Sequence, residues 1–229
     1  MRDDVALKLL QLTSDRPFLR TSELETMPPL VLESRLTALI KDGLLTISNG
    51  VLRMDGTQRI LLAERLIHAG SDPRRVSRFL KWQEFEDFTE RMLRENGFLT
   101  RRHFVFKSQA GRREIDVLAW NDTFMLAIDC KHWLRGLAPG RLREVVQAQI
   151  ERTAQLAQRP ELLGRLRVAD ATRRSIIPLI LTLSELHDRL VDRVPVVSVS
   201  KLLSFLYGLS PVDDGLCRIG ILNSQSRLA

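Results

Sequence analysis

Two aspartates and a lysine stand inside apolar runs of the chain, where charged side chains are uncommon. Asp116 lies in the segment EIDVLAW, and Asp129 and Lys131 lie in FMLAIDCK. Burying a charge is unfavourable unless the charge is paired or bound to a metal ion. Carboxylates and a lysine suit phosphodiester hydrolysis, in which the carboxylates hold a divalent cation and the lysine stabilises negative charge in the transition state.

The two segments form a predicted β-hairpin that closes at Asn121-Asp122. With a tight two-residue turn there, Asp116 pairs with Ala127. Period-two alternation then sets Asp116, Asp129 and Lys131 on one face, with the aspartates on a diagonal. Oxygen ligands without His or Cys favour Mg²⁺, with Mn²⁺ as the alternative, over zinc. The competing interpretation is an exposed Asp129–Lys131 pair on an edge strand, which contributes little stability.

Two helices flank this hairpin, and each carries one polar residue at a notable angle. On the helix that begins at Trp82, Glu86 falls at the edge of the apolar stripe, so a solvated carboxylate is the alternative to a functional one. On the helix predicted over roughly 140–158, Gln149 falls inside the apolar stripe. A glutamine there needs a hydrogen-bonding partner, and the backbone is the alternative to the site.

These elements belong to a predicted α/β region over residues 81–229. Strand candidates FLTRRHFVF, REIDVLAW, TFMLAIDCKHW, SIIPLILTL and VPVVSV alternate with helical segments. The pattern predicts a mixed sheet with helices on both faces.

The preceding residues predict a mainly helical domain. Three helical segments are followed by two β-rich runs that meet at Asn49-Gly50, a strong hairpin signal. Residues 1–55 therefore predict a winged helix-turn-helix, and residues 56–80 predict a helical connector. Winged helices read DNA, dimerise or dock proteins, and the sequence leaves these roles open.

Composition agrees with an anionic partner. The 229 residues carry a formal net charge of +7, with 29 arginines against six lysines. Arginine suits phosphate because its guanidinium group binds in a bidentate manner. Cys130 and Cys217 lack metal-site spacing, and no apolar run approaches the roughly 18 residues of a membrane span. We expect a cytoplasmic protein that binds DNA and no membrane.

Taken in order, the motifs FEDF, EID and DCK resemble the PD-(D/E)XK nuclease superfamily, whose fold is called restriction-endonuclease-like. The resemblance covers about residues 82–210. The residue before Asp116 is Ile115 rather than the proline of the family pattern, a departure that many members tolerate. It implies a mixed sheet flanked by helices, preceded here by the mainly helical winged-helix domain.

The resemblance also implies roles for individual residues. Asp116 and Asp129 are the implied metal ligands, the backbone carbonyl of Cys130 is a third, and Lys131 is the catalytic lysine. Glu86 matches the family's helix glutamate, which completes the metal site directly or through water, and Gln149 is similar to a helix glutamine that faces the site in several branches. The basic residues expected to contact DNA are Arg101, Arg102, Arg112, Arg113 and Arg152.

We therefore expect a Mg²⁺-dependent DNA endonuclease. The domain order is similar to that of Mrr-type restriction enzymes, although GRREIDV replaces their Asp-Gly-Gly-Ile-Asp type segment. The alternative is a catalytically inactive DNA-binding or scaffold protein that retains the fold. A homodimer is a further expectation, because cutting both strands usually takes two active sites.

Overall fold

The computed structural model of the chain describes residues 4–24, 28–109, 111–131, 139–166, 175–183, 186 and 189–222. The chain divides into two compact units, one reaching to Phe88 and the other beginning at Thr89. Across the described ranges, no helix is both long and apolar enough to span a bilayer.

The first unit is mainly helical. Its α-helices are α1, Asp4–Leu12; α2, Pro29–Lys41; α3, Gly56–His68; and α4, Pro73–Ser77. Its strands are β1, Phe18–Arg20; β2, Thr46–Ser48; and β3, Val51–Arg53, with a 3-10 helix over Thr21–Leu24.

The three strands form a small antiparallel sheet in the order β1-β3-β2. Asn49 and Gly50 join β2 to β3 with φ values of 49° and 70°. A two-residue hairpin turn of type I′ requires these left-handed values, which is why Asn-Gly predicts it. The sequence reasoning missed β1, because a three-residue strand has no periodicity of its own and forms by pairing with β3.

A buried arginine ties the helices of this unit together. Arg59 on α3 is 2% exposed, and its Nε lies 2.9 Å from Glu84 Oε1. Its other nitrogens donate to the carbonyl of Leu10 at 2.9 Å, to the hydroxyl of Thr13 and to the carbonyl of Phe79. The guanidinium charge is therefore both paired and hydrogen-bonded, as a buried charge must be.

The second unit is built on a mixed sheet. The α-helices are α5, Trp82–Glu95, which runs through the division between the units; α6, Pro139–Ala157; α7, Pro160–Gly164; and α8, Leu202–Gly208. The strands are β4, Leu99–Ser108; β5, Gly111–Trp120; β6, Met125–Lys131; β7, Ser175–Thr182; β8, Leu190–Val191; β9, Val194–Ser198; and β10, Ile219–Gly220.

Along this sheet the strand order is β4-β5-β6-β7-β9-β8, and β10 pairs with β7. β5 is antiparallel to both β4 and β6, whereas β7 is parallel to both β6 and β9. A mixed sheet with helices fits the restriction-endonuclease-like fold class expected from the sequence.

The loop between β5 and β6 is longer than predicted. The last pair is Trp120 with Met125, so four residues rather than two form the connection. The Asn121 side chain accepts hydrogen bonds from the backbone nitrogens of Thr123 and Phe124, which stabilises this wider turn. The register therefore shifts by two residues, so that Ala127 pairs with Leu118 rather than Asp116. An even shift leaves the facing side chains on the same face.

Strict alternation along β5 breaks at Asp116. Ile115 and Leu118, three residues apart, both belong to one core cluster, whereas period two would separate them. On β4, the residue that the register sets opposite Asp116 is His103, which has a left-handed φ of 48° and forms no ladder pair. Left-handed backbone in a residue other than glycine is uncommon and is found often at functional sites.

Helix α6 packs across the sheet from β9 to β4. Near its start, Leu142 and Val146 pack in one cluster with Ile180 and Val194. Near its end, Leu156 and Ala157 pack in a second cluster with residues of β4 and β5, which are Phe106, Ile115, Leu118 and Trp120. The middle of α6 is thereby set over β6, the strand that carries Asp129.

Candidate active site

Asp116 lies where β5 and β6 separate. Their ladder ends at the pair Val117 and Ile128, and beyond it β6 continues to pair with β7. At the fork, Asp116 Oδ2 accepts a hydrogen bond of 2.8 Å from the backbone nitrogen of Cys130. The carboxylate is therefore held by the backbone of the next strand.

Asp129 is the most deeply buried carboxylate of β5 and β6, with 2% exposure. Its Oδ1 accepts a hydrogen bond of 2.9 Å from Lys131 Nζ and lies 3.3 Å from Arg152 Nη2. Its Oδ2 is buried and has no hydrogen-bonding partner among the residues that the structure describes. An unsatisfied buried oxygen is unfavourable by about 1–3 kcal/mol, and by more when charged. A cation bound to Asp129 Oδ2 would satisfy this oxygen.

Burial and a neighbouring carboxylate both disfavour the charged form of Asp116. Burial raises the pKa of Asp116 to about 6, and repulsion from Asp129 is the second cause. The hydrogen bond from Cys130 and the positive charges of Lys131 and Arg152 act in the opposite direction, but they are weaker. A bound cation would relieve this repulsion.

Gln149 and Arg152 reach this strand from α6. Gln149 is 1% exposed, and its Nε2 donates to the carbonyl of Ala127 at 2.7 Å. Its Oε1 and Arg152 Nε are buried without hydrogen-bonding partners within the described ranges. The hydrogen bond from Gln149 to the backbone, which was the alternative to a role in the site, is therefore present. The amide oxygen of Gln149 is still available to the site.

The donor set fits a hard divalent cation. Asp116 and Asp129 supply carboxylate oxygens, and the buried Oδ2 of Asp129 has no hydrogen-bonding partner in the described residues. Elsewhere in the described residues, as here, no three His, Cys, Asp or Glu side chains form a group able to hold a metal ion. A cation at this position would therefore complete its coordination with backbone oxygen or water, as Mg²⁺ commonly does.

Glu86 lies in the first half of α5, on the side of the division that belongs to the first unit. Its side chain is 3% exposed, so the solvated carboxylate considered as the alternative is wrong. Three residues further, Thr89 is fully buried, and its Oγ1 lies 4.0 Å from Cys130 Sγ.

The five arginines expected to contact DNA differ in their partners. Arg102 pairs with Glu90 at 2.8 Å, Arg113 donates to Gln155 at 2.9 Å, and Arg152 pairs with Asp129. Arg101 and Arg112 are exposed, and their guanidinium groups have no partner in the described part of the chain.

Sequence reasoning missed two features of the site. The pairing of Arg152 with Asp129 is the first, since the sequence predicts only a phosphate contact for Arg152; the position of Arg152 three residues after Gln149 on one helix face is the available signal. The left-handed His103 opposite Asp116 had no local signal, because its conformation depends on how β4 meets β5.

The raised pKa of Asp116 predicts how stability varies with pH in metal-free protein. The ordinary value is 3.8 and the folded value about 6, so the folded state binds this proton more tightly than the unfolded chain. The contribution is fully present below pH 3.8 and is lost as pH rises through about 6. Relative to Asp116→Asn, we expect the parent to lose on the order of 2–3 kcal/mol over this range.

Urea denaturation at a series of pH values measures the difference. Asp122→Asn, in the exposed β5–β6 loop, is the matched control and should follow the parent. Parallel pH profiles for Asp116→Asn and the parent would contradict the assignment.

Comparison with known proteins supports the same chemistry. Residues 77–157 match the family model Mrr_cat, described as a restriction endonuclease. The match supports a PD-(D/E)XK-like nuclease domain over these residues. It contains Asp116, Asp129, Lys131 and Gln149. The later strands β7 to β10 lie outside it.

Each of the individual relatives matches only part of this chain. An uncharacterized protein from Archaeoglobus fulgidus is 42% identical over 52 residues, which are 23% of this chain and 40% of that protein. The crystal structure of a protein of unknown function, AF1548, aligns over 56% of this chain and 55% of its own, with 17% identity and a TM-score of 0.32. Protein VC1899 from Vibrio cholerae aligns over 87% and 48%, with 13% identity and a TM-score of 0.39. The chain thus spans about half the length of these proteins.

Proposed function

We propose that this chain is a divalent-metal-dependent DNA endonuclease that hydrolyses phosphodiester bonds. The observation that carries the proposal is the buried, unpartnered Oδ2 of Asp129, beside a second carboxylate and a lysine. The strand fork holds all three groups within a few residues of the sheet's end. The restriction-endonuclease match over the same residues supports this chemistry.

Asp116 and Asp129 hold the cation in this proposal, together with the backbone carbonyl of Cys130. Of the two ways in which Glu86 was expected to complete the site, directly or through water, the proposal takes water, because no third carboxylate joins the group in the described residues. The cation is Mg²⁺, with Mn²⁺ as the alternative, because the side-chain donors are carboxylate oxygens. When bound, it neutralises phosphate charge and lowers the pKa of water.

The remaining polar residues act on the substrate and on Asp129. Lys131 stabilises the negative charge that develops on the phosphate, which is the role its ammonium group suits beside a phosphodiester. Arg152 and Lys131 together hold Asp129 Oδ1, so that the second oxygen stays aimed at the cation. Gln149 anchors α6 to β6 through Ala127 and presents its amide oxygen to the site.

The first unit docks DNA or a partner protein in this proposal. Residues 1–55 form a winged helix-turn-helix, residues 56–80 form the connector, and residues 81–229 form the nuclease domain. The order helix, strand, short helix, helix and hairpin supports the winged-helix assignment. Arg101 and Arg112 are the available phosphate contacts of the nuclease domain, whereas Arg102, Arg113 and Arg152 already have protein partners.

Cleavage of plasmid DNA with Mg²⁺ or Mn²⁺, and its absence with a chelator, tests the proposal. Asp129→Asn should abolish cleavage and also remove the rise in melting temperature that Mn²⁺ gives the parent, because the variant loses a charged ligand. Asp122→Asn should behave as the parent in both measurements. DNA binding without cleavage under every metal condition would instead indicate the inactive scaffold.

A further inference from the structure

Strands β4 and β5 form an antiparallel ribbon that carries two cationic side chains next to each other, close to the turn that joins the strands. Lys107 and Arg112 are directly opposite each other in the ladder, and both are exposed. Neither side chain has a hydrogen-bonding or ionic partner within the residues described. Like charges directly opposite each other destabilise a sheet, so the pairing needs a reason outside the ladder.

The ribbon fixes the direction in which this pair points. Phe106 and Ile115, on the other face, are buried in the cluster with the end of α6. Arg113 donates to Gln155 of α6, and Arg159 donates to the carbonyl of Lys107. One face of the ribbon is therefore attached to the core, while the face with Lys107 and Arg112 stays open.

The pair lies toward the end of the sheet where the carboxylates are, on the face opposite the one that α6 covers. Counting on from the pair Val117 and Ile128 brings Glu114 level with Lys131, the last residue of β6, so Arg112 lies beyond it. Four residues separate Arg112 from Asp116, or about 13 Å at ~3.3 Å per residue. A polyanion that reaches the candidate active site around this end of the sheet would pass the two cations.

Glu114, two residues from Arg112, offsets only part of the charge of the pair. Its Oε1 lies 2.9 Å from His103 Nδ1. Val105 is opposite Glu114, with 42% exposure. The net positive charge of the face therefore comes from Lys107 and Arg112.

We propose that Lys107 and Arg112 bind the DNA backbone, as a pair of phosphate contacts outside the cleavage site. The inference rests on the proposed nuclease function for its choice of DNA. Side chains on directly opposed residues start about 4.5–5.5 Å apart, so two long cations can reach neighbouring phosphates of one strand. The contact is to phosphate, so it is independent of sequence.

The test measures binding of a short fluorescent DNA duplex by anisotropy, in chelator, so that no cleavage occurs. The double variant Lys107→Gln/Arg112→Gln should bind about tenfold more weakly at low salt. Its plot of log affinity against log salt, between about 50 and 200 mM, should be shallower by about 1.8, because each phosphate contact contributes roughly 0.9. Its melting temperature should equal or exceed that of the parent, because a repulsive pair is gone.

Two matched variants serve as controls. Lys107→Arg/Arg112→Lys keeps both charges and should keep the salt slope of the parent. Arg113→Gln removes the neighbouring arginine on the attached face and should also keep that slope.

Three results would overturn the inference. They are an unchanged slope in the double glutamine variant, a parent that does not bind DNA, and unchanged binding with increased self-association, which would indicate that Lys107 only protects an edge strand. A parent that binds in this way but never cleaves would refute the nuclease function and leave the phosphate contact standing.

Discussion

Replacing Lys131 by alanine is expected to lower the rate of DNA cleavage by about 100- to 1000-fold at saturating Mg²⁺. This is the loss typical of removing one group that stabilises charge in a transition state. Lys131 Nζ lies 2.9 Å from Asp129 Oδ1, and the side chain keeps 25% exposure, so it can reach a substrate. Single-turnover cleavage of plasmid DNA measures the effect.

Two comparisons separate this role from a structural one. Lys131→Arg keeps a cation beside Asp129, yet guanidinium is not interchangeable with a compact ammonium group, so cleavage should stay impaired. Mn²⁺ should still raise the melting temperature of Lys131→Ala, because the carboxylates remain. Full activity in the alanine variant, or a loss explained entirely by unfolding, would refute the catalytic role.

Replacing Arg59 by methionine should lower the free energy of unfolding by about 3–5 kcal/mol, because removing one partner leaves the other buried charge uncompensated. Glu84 would lose its partner at 2.9 Å, and the carbonyls of Leu10 and Phe79 would lose a donor. Urea denaturation followed by circular dichroism measures the change.

The pair Arg65 and Asp42 provides the matched control. Arg65 also lies on α3, but its side chain is 43% exposed and its partner's 46%. Arg65→Met should therefore change stability by less than about 1 kcal/mol. The double variant Arg59→Met/Glu84→Leu should recover much of the loss, because apolar pairs can replace buried ion pairs. Equal effects at Arg59 and Arg65 would contradict the buried network.

Local pattern predicted the elements of this chain well. Helical periodicity and the dipeptide Asn49-Gly50 predicted the helices and the hairpin of the first unit. Alternating and continuous apolar runs predicted the long strands of the second unit. These signals are local because a helix or strand must turn its apolar side toward a core, wherever that core lies.

The sequence did not predict the register of the strands correctly. The Asn121 side chain builds a four-residue loop, and the alternation of β5 breaks opposite a left-handed His103. The loop is a local effect, because Asn121 bonds to backbone nitrogens two and three residues on, whereas the break in alternation depends on how β4 pairs with β5. Asp116 still lies beside Asp129, because its carboxylate accepts a hydrogen bond from the backbone nitrogen of Cys130.

The sequence by itself determined that Asp116, Asp129 and Lys131 interrupt apolar strands, since that is a matter of residue order. Only the tertiary structure decided what surrounds them. The sequence does not distinguish Arg101, Arg102, Arg112 and Arg113. In the structure Arg102 pairs with Glu90 and Arg113 donates to Gln155, whereas the side chains of Arg101 and Arg112 have no partner in the described residues. The reason is physical: a guanidinium group binds whichever acceptor the fold brings within about 3 Å, and that distance is set by packing between elements far apart in the chain.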